Sequence, residues 1–317
     1  MVAPTLFIAS LISFFSVCLI PGSIIDLMLM EHPSQDREAS REALLSDLGL
    51  DVPLYIQYGR WLGFIPQKDG AFRGALQGDL GLSLWTKTTV ASNIIGRIPI
   101  TVELGLLGLI ISQIIALPIG VFSAIRQDTA GDYLARSFAI LCIAIPDFWF
   151  GTLIIVFFSI WWGWSPPLLV IPFFKDPIGN LQMFIVPATI LGMGLSGITM
   201  RMTRTMMLEV LRQDYIRTAW AKGLSEKIIV TRHALRNALI PIITIVGMQV
   251  PIVIGGAVII EQIFALPGVG RLLVNATAQR DYTIVSGVVL TFSIATVFAN
   301  LEVDLIYSYL NPKIRFK

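Results

Sequence analysis

Asp147, Gln249 and Glu261 are polar residues that sit within or at the end of long apolar runs, where a polar group needs a reason to be. An ionised carboxylate near a bilayer centre costs roughly 2.5–3.5 kcal/mol on insertion scales, so it faces a cavity or a partner. Asp147 directly follows Pro146. It can line a passage and attract an amine or a metal cation, or it can lie near an interface in water. Gln249 can face the same passage or hydrogen-bond a neighbouring helix. Glu261 is the third candidate for a pathway-lining group. Glu103 begins its run and suits an interfacial position, while Glu302 and Asp304 near the end of the last run are expected to pair with arginines. His233 has no second metal ligand near it in sequence, and Cys18 and Cys142 read as small apolar residues rather than a disulfide.

The stretch Asp214–Glu226 suggests mechanical work rather than bond chemistry. It is a polar island between two apolar runs. Met206 to Gly223 is helix-compatible, with Ala219 and Ala221 as strong formers. Gly223 is a natural terminator, because glycine adopts a left-handed conformation cheaply. Ser225 can cap the next helix, with Glu226 near its positive N-terminal end. The pattern is a short helix, a sharp turn and a basic helix returning to the apolar phase at Pro241. A stiff knob of that kind can be held by a partner outside the membrane. On charge alone, a loop that only obeys the positive-inside rule is the favoured reading; the order of helix, glycine and helix weighs against it.

Motifs for bond chemistry are missing. The chain contains no Gly-x-x-x-x-Gly-Lys-Ser/Thr phosphate loop, no Gly-x-Ser-x-Gly elbow, no His-Glu-x-x-His and no intramembrane aspartate pair. An enzyme reading has no residues to rest on, and ATP binding by the phosphate-loop route is excluded.

The elements that position these residues follow from composition. Of 317 residues, 55% are hydrophobic and 14% charged, and mean hydropathy is +0.76. Soluble domains are about 25% charged. Six apolar runs, roughly Pro4–Ile20, Val102–Ile125, Ser137–Trp161, Met183–Met202, Leu239–Ile260 and Ile284–Tyr307, are long enough to cross a hydrocarbon layer of about 30 Å. Backbone groups in lipid must be paired internally, so helices are expected. The fold class expected is an all-α polytopic membrane protein, one transmembrane domain over residues 1–317, without internal repeats. The N-terminal run lacks a basic lead-in and a cleavage site, and reads as a retained first span.

Orientation follows from Lys and Arg in short loops. Arg126 and Arg136 follow the second run. Arg201, Arg204, Arg212, Arg217, Lys222, Lys227, Arg232 and Arg236 surround the polar island, and Lys313, Arg315 and Lys317 end the chain. These three segments, including a loop of about 203–238, and both termini should be cytoplasmic. Residues of about 21–99 then form an external segment, with Ser40–Leu48 as a short amphipathic helix presenting Ala43, Leu44 and Leu48 on one face.

The polar island resembles the EAA coupling loop of bacterial ABC-importer permeases. Arg217-Thr218-Ala219-x-Ala221-Lys222-Gly223-Leu224, followed by Arg232-His233-Ala234-Leu235-Arg236-Asn237-Ala238-Leu239-x-Pro241, is similar to the dipeptide/oligopeptide/nickel branch. Pro21-Gly22, Leu48-Gly49-Leu50-Asp51-x-Pro53-Leu54 and Gly78-Asp79-Leu80-Gly81-x-Ser83 resemble the B-type subunit of that branch. So do Glu261-x-x-Phe264-x-Leu266-Pro267-Gly268-x-Gly270-Arg271, Arg280-Asp281-Tyr282 and Asn300-Leu301-x-Val303-Asp304. Two departures are the missing basic lead-in and Asn311 where an aspartate is usual. The resemblance implies a permease subunit that couples to ATPases through Asp214, Tyr215, Arg217, Thr218, Ala219, Ala221, Lys222, Gly223 and Leu224. It implies a second homologous permease subunit, two cytoplasmic ABC ATPase subunits, an external substrate-binding protein and membrane lipid as partners, with no nucleic acid. No cofactor is expected in this chain, since ATP and Mg would be bound by partner subunits. The solute could be a peptide, a nickel complex, glutathione or an oligosaccharide, carried across the bacterial or archaeal cytoplasmic membrane. A stand-alone secondary transporter or channel is the alternative.

Overall fold

A computed structural model of the chain describes residues 2–18, 25, 29, 37–47, 49–167 and 169–310. Its elements run α1 (Val2–Cys18), α2 (Arg37–Asp47), α3 (Leu54–Leu62), a 3-10 turn (Ala75–Gln77), α4 (Val90–Ile95), α5 (Ile98–Ile125), α6 (Ala130–Ala144), α7 (Asp147–Trp162) and α8 (Pro177–Leu211). They continue with α9 (Asp214–Ala221), α10 (Glu226–Ile228), a π turn (Ile229–Ala234), α11 (Leu235–Met248), α12 (Val250–Ile263), α13 (Val269–Ala278) and α14 (Tyr282–Leu310). Among the described residues the only β pairing is an isolated bridge between Leu82 and Thr89. The expected all-helical class is what the structure has.

The spans differ from six straight helices. Val90–Ile125, Pro177–Leu211, Glu226–Met248 and Tyr282–Ile306 are each long and apolar enough to cross a membrane. The third run is broken: α6 and α7 meet at a bend of 95° and together could make one further span. Pro146 explains the break, because its ring disfavours a helical residue before it and its nitrogen donates no hydrogen bond. Ile145 is accordingly extended, at φ −82° and ψ 120°. The fifth run is interrupted at Gln249, just before Pro251. The first run is helical over Val2–Cys18, and these 17 residues reach about 25 Å at 1.5 Å per residue. Leu19 and Ile20, the last two residues of that run, lie outside the described residues.

The chain forms two compact units, Met1–Ile98 with Leu272–Val297, and Pro99–Arg271 with Phe298–Lys317. In the first unit, the Ser10 hydroxyl lies 2.8 Å from that of Tyr58, and Phe14 packs its ring on Tyr58 and Trp61. Buried Asp281 accepts hydrogen bonds from Ser83 Oγ at 2.6 Å, from the Leu84 amide at 3.2 Å and from the Ile284 amide at 3.3 Å. One carboxylate thus joins two of the motif segments, Gly78–Ser83 and Arg280–Tyr282. The face of α2 that packs inward is Leu44 and Leu45, against Ile25 and Leu29; Ala43 is exposed, and Leu48 lies outside the described residues.

The second unit is organised by α8. Small residues line α5 at helical spacing, with Thr101, Gly105, Gly108, Ser112, Ala116 and Gly120 buried. They let α8 approach closely. A Cβ on Gly192 would fall 2.7 Å from the Gly108 carbonyl oxygen, and one on Gly197 would fall 2.7 Å from that of Ala139 in α6. Such backbone approach is how helices pack where lipid removes the hydrophobic drive between them. The opposite face of α5 presents Val102, Leu106, Ile110 and Ile114 outward, four residues apart, the arrangement of a helix surrounded by lipid or an apolar partner. Leu104, Phe184, Leu191, Val253, Ile260 and Phe264 fill the space where α5, α8 and α12 meet. Glu302 and Asp304 were expected to pair with arginines, but both are exposed and neither has an ion pair among the described residues.

Candidate functional site

α8 has 35 residues and reaches about 52 Å at 1.5 Å per residue, more than a hydrocarbon layer of about 30 Å requires. It runs nine residues past Met202, where the apolar run ends, to Leu211. The helix expected from Met206 to Gly223 is therefore two helices. Gln213 is extended, at φ −76° and ψ 151°, and α9 starts afresh at Asp214.

α9 spans two turns and has two faces. Ile216 and Ala219, three residues apart, are buried, while Asp214, Tyr215, Arg217, Thr218, Trp220 and Ala221 are exposed. The Asp214 and Arg217 side chains are 96% and 76% exposed and 3.4 Å apart, a pairing that contributes little in water. Trp220 and Tyr215 thus lie exposed beside charges on a helix held from behind.

What holds α9 from behind is a cluster of Ala124 from α5, Met207 and Val210 from α8, Ile229, Val230 and Ala234 from the π turn, and Ala238 and Ile242 from α11. Leu224 packs against it as well. Three long helices therefore converge under a two-turn helix. Close-packed side chains transmit displacement with little compression, so a push on α9 reaches α5, α8 and α11 together.

The turn after α9 depends on Gly223, whose φ is +75°. Its amide donates to the Trp220 carbonyl at 2.9 Å, and the Leu224 amide to that of Ala219 at 3.4 Å. Lys222 ends α9 and is exposed. Ser225 does occupy the N-cap of α10, yet its hydroxyl makes no capping bond; the expected side-chain cap is absent. The following helix also does not stop at Pro241, which lies inside α11. Between α10 and α11 the Leu235 amide bonds to the Val230 carbonyl, five residues back, which defines the π turn. Ile229, Val230 and Ala234 of this turn all reach the cluster.

A charged pair that sequence reading missed secures the same end of the unit. Asp132 is fully buried and receives Arg204 Nε at 2.8 Å and Nη2 at 2.7 Å, together with the Ser123 hydroxyl and the Asp128 amide. This bidentate pair ties the start of α6 to α8. Thr129-x-x-Asp132 is a capping pattern whose geometry forms, the Thr129 hydroxyl accepting from the Asp132 amide at 3.4 Å. It marks the helix start, but nothing in the sequence joins Asp132 to a residue 72 positions away.

The three pathway candidates are placed differently. Asp147 begins α7, half-buried, in a small apolar cavity of about 130 Å³ lined by Phe138, Cys142, Phe150, Ile190, Met193 and Gly194. Its carboxylate receives no hydrogen bond from the described residues, and Gly194 leaves it space, since a Cβ there would lie 2.7 Å from Oδ1. Gln249 is buried and donates from Nε2 to the Leu195 carbonyl at 3.1 Å and to Thr199 Oγ1 at 3.0 Å, so it fastens the α11–α12 junction to α8. Glu261 is buried at the far end of α12. It accepts from Thr101 Oγ1 at 2.6 Å and from the Arg271 amide at 2.9 Å, and fills the space that side chains on Gly268 and Gly270 would need. Asp147 and Gln249 thus abut the same stretch of α8, whereas Glu261 lies twelve residues, about 18 Å of helix, beyond Gln249 and staples the loop Leu266–Arg271. The geometry of Gln249 and Glu261 is that of internal fastening; among the three, Asp147 has its carboxylate free toward a cavity.

Comparison with known proteins decides the family. Residues 116–316 match the model of the binding-protein-dependent transport system inner membrane component. The chain belongs to that family. A peptide transport system permease protein of Brucella abortus (strain 2308) is 37% identical over 313 residues, 99% of this chain and 96% of its own. The dipeptide transport system permease protein DppB of Escherichia coli (strain K12) is 35% identical over 341 aligned positions, 100% of this chain and 97% of its own. In fold, this permease is similar to a chain of the MetNI methionine ABC transporter in an inward-facing conformation. The TM-score is 0.55 at 16% identity, covering 68% of this chain and 95% of that one. The resemblance carried by the polar island and the loop motifs therefore holds, and the permease is a multi-pass component of an inner-membrane transport system.

Proposed function

We propose that this permease is the membrane subunit of an ATP-driven importer of peptides or similar small solutes, and that α9 with Lys222–Leu224 receives the push of a separate ATPase. The observation that carries the reading is the two-faced α9: an exposed surface of Tyr215, Arg217 and Trp220, set on a packed cluster that joins three long helices. The relatives' names supply the solute class. The partners are a second, homologous permease subunit, two cytoplasmic ATPase subunits that bind ATP and Mg, and an external binding protein. The distribution of Lys and Arg supports cytoplasmic termini.

In this mechanism, ATP-driven closure of the ATPases moves α9. The cluster carries the displacement into α5, α8 and α11, and the two permease subunits rock between inward-open and outward-open states. Asp147 lines the pathway, its carboxylate available to a solute ammonium or another cation. Gln249 and Glu261 keep the moving helices in register. The test is purification of the chain from its native membrane in mild detergent with identification of every co-purifying protein. A second permease, ATPases and a binding protein support the reading. A solitary chain that moves solute in vesicles without ATP would replace it with the carrier or channel.

A further inference from the structure

Within the second unit, Tyr215 lies on the exposed side of α9, and Asn237 lies in the first turn of α11. The Asn237 amide Nδ2 donates to the Tyr215 hydroxyl at 2.8 Å and to the His233 carbonyl at 2.9 Å. The Tyr215 hydroxyl in turn donates to the same carbonyl at 3.4 Å. Three groups close a triangle across the junction of the π turn and α11. The carbonyl belongs to a residue inside the π turn, where the backbone ladder is shifted by one residue.

That position matters physically. A π turn inside an α-helix is a rare and locally costly arrangement, found often at functional sites. Its competitor is an ordinary α-helical turn, which holds one residue fewer and would rotate everything after it by about 100°. Ile229, Val230 and Ala234 of the turn are all buried in the cluster, so a change of register there would displace packed side chains. The triangle acts on the same choice from the outside, and it is a polar connection between α9 and α11. It also lies on the face that an ATPase would cover, where loss of water strengthens it.

We propose that the Tyr215–Asn237 hydrogen bond, closed on the His233 carbonyl, is a latch that holds the register of the π turn while force passes from α9 into the spanning helix. Asn237 is then a positioning residue for transport, and Tyr215 is its counterpart on the docking surface. The proposal rests on the reading of α9 as the ATPase-receiving helix. With the latch open, α9 moves without carrying α11, and ATP is hydrolysed with less solute moved.

The experiment uses the whole importer in proteoliposomes with Tyr215→Phe, Asn237→Leu and the double variant. Tyr215→Phe removes one oxygen and keeps the ring. Solute uptake, ATP hydrolysis and the ATPase subunits retained on purification are measured together. The expected result is uptake per ATP lowered about three- to tenfold in each single variant, the range to which the net worth of one hydrogen bond converts, with subunit content unchanged in Asn237→Leu. The double variant falls no further, because both changes open one latch. Wild-type uptake per ATP in both single variants, or losses that multiply in the double variant, would overturn the latch alone. A wild-type complex that holds no ATPase would overturn the latch and the reading of α9 together.

Discussion

Replacement of Gly223 tests the coupling turn at a single backbone angle. At φ +75° a residue with a Cβ carries strain of about 1–2 kcal/mol, more when it is β-branched. No atom lies within 4 Å of the position a Cβ would take, so clash adds nothing and the strain is purely conformational. Asparagine tolerates the left-handed region best among the other residues. The expected order of function is therefore Gly, then Asn, then Ala, then Val. The turn is exposed and held by two backbone hydrogen bonds, so strain is relieved by unwinding the last turn of α9 and withdrawing Leu224 from the cluster. At about 1.4 kcal/mol per factor of ten, Gly223→Ala should lower the population of the native turn about tenfold, and Val more. ATP-dependent uptake into proteoliposomes would follow that order while the amount of protein in the membrane stays constant. Wild-type uptake in Gly223→Val, or Asn no better than Val, would refute the reasoning.

Other substitutions probe the supports. Arg204→Ala leaves the Asp132 carboxylate buried without its cation, and should cost about 3–5 kcal/mol, read as a lowered unfolding temperature in detergent; Asp132→Asn with Arg204→Leu should cost less than the sum of the single changes. Gly192→Leu forces a side chain against the Gly108 carbonyl, so folded protein recovered from the membrane should fall sharply, with Gly255→Ala, where nothing lies within 4 Å, as the tolerated control. Glu261→Ala removes the acceptor of Thr101 and of the Arg271 amide, and the loop Leu266–Arg271 should become accessible to protease while ATPase subunits remain bound. Asp147→Asn should lower uptake of a solute carrying a free ammonium more than that of its acetylated form, with assembly unchanged; equal loss for both would remove Asp147 from the pathway.

Much of this architecture is legible because lipid simplifies the code. Apolar length gives four spans outright, Gly223 gives the turn, and the order of helix, glycine and helix locates α9. The breaks are harder to read. Pro146 bends its span by 95° while Pro241 is absorbed within α11, and a proline in an apolar run carries no local sign of which outcome follows. Polar residues are ambiguous for a related reason. Asp147, Gln249 and Glu261 look alike in sequence, yet only the positions of Gly194, Thr199 and Thr101 reveal which of them has partners. Asp132 with Arg204, and Tyr215 with Asn237, are long-range pairs that carry no local pattern.

The most direct test of the central claim is a photo-cross-linking amino acid in place of Trp220, on the exposed face of α9, in the whole importer in native membranes. The account predicts an adduct between this permease and an ATPase subunit, with a yield that changes when ATP is added. Adducts to lipid alone, or to none of the ATPase subunits with and without ATP, would contradict it.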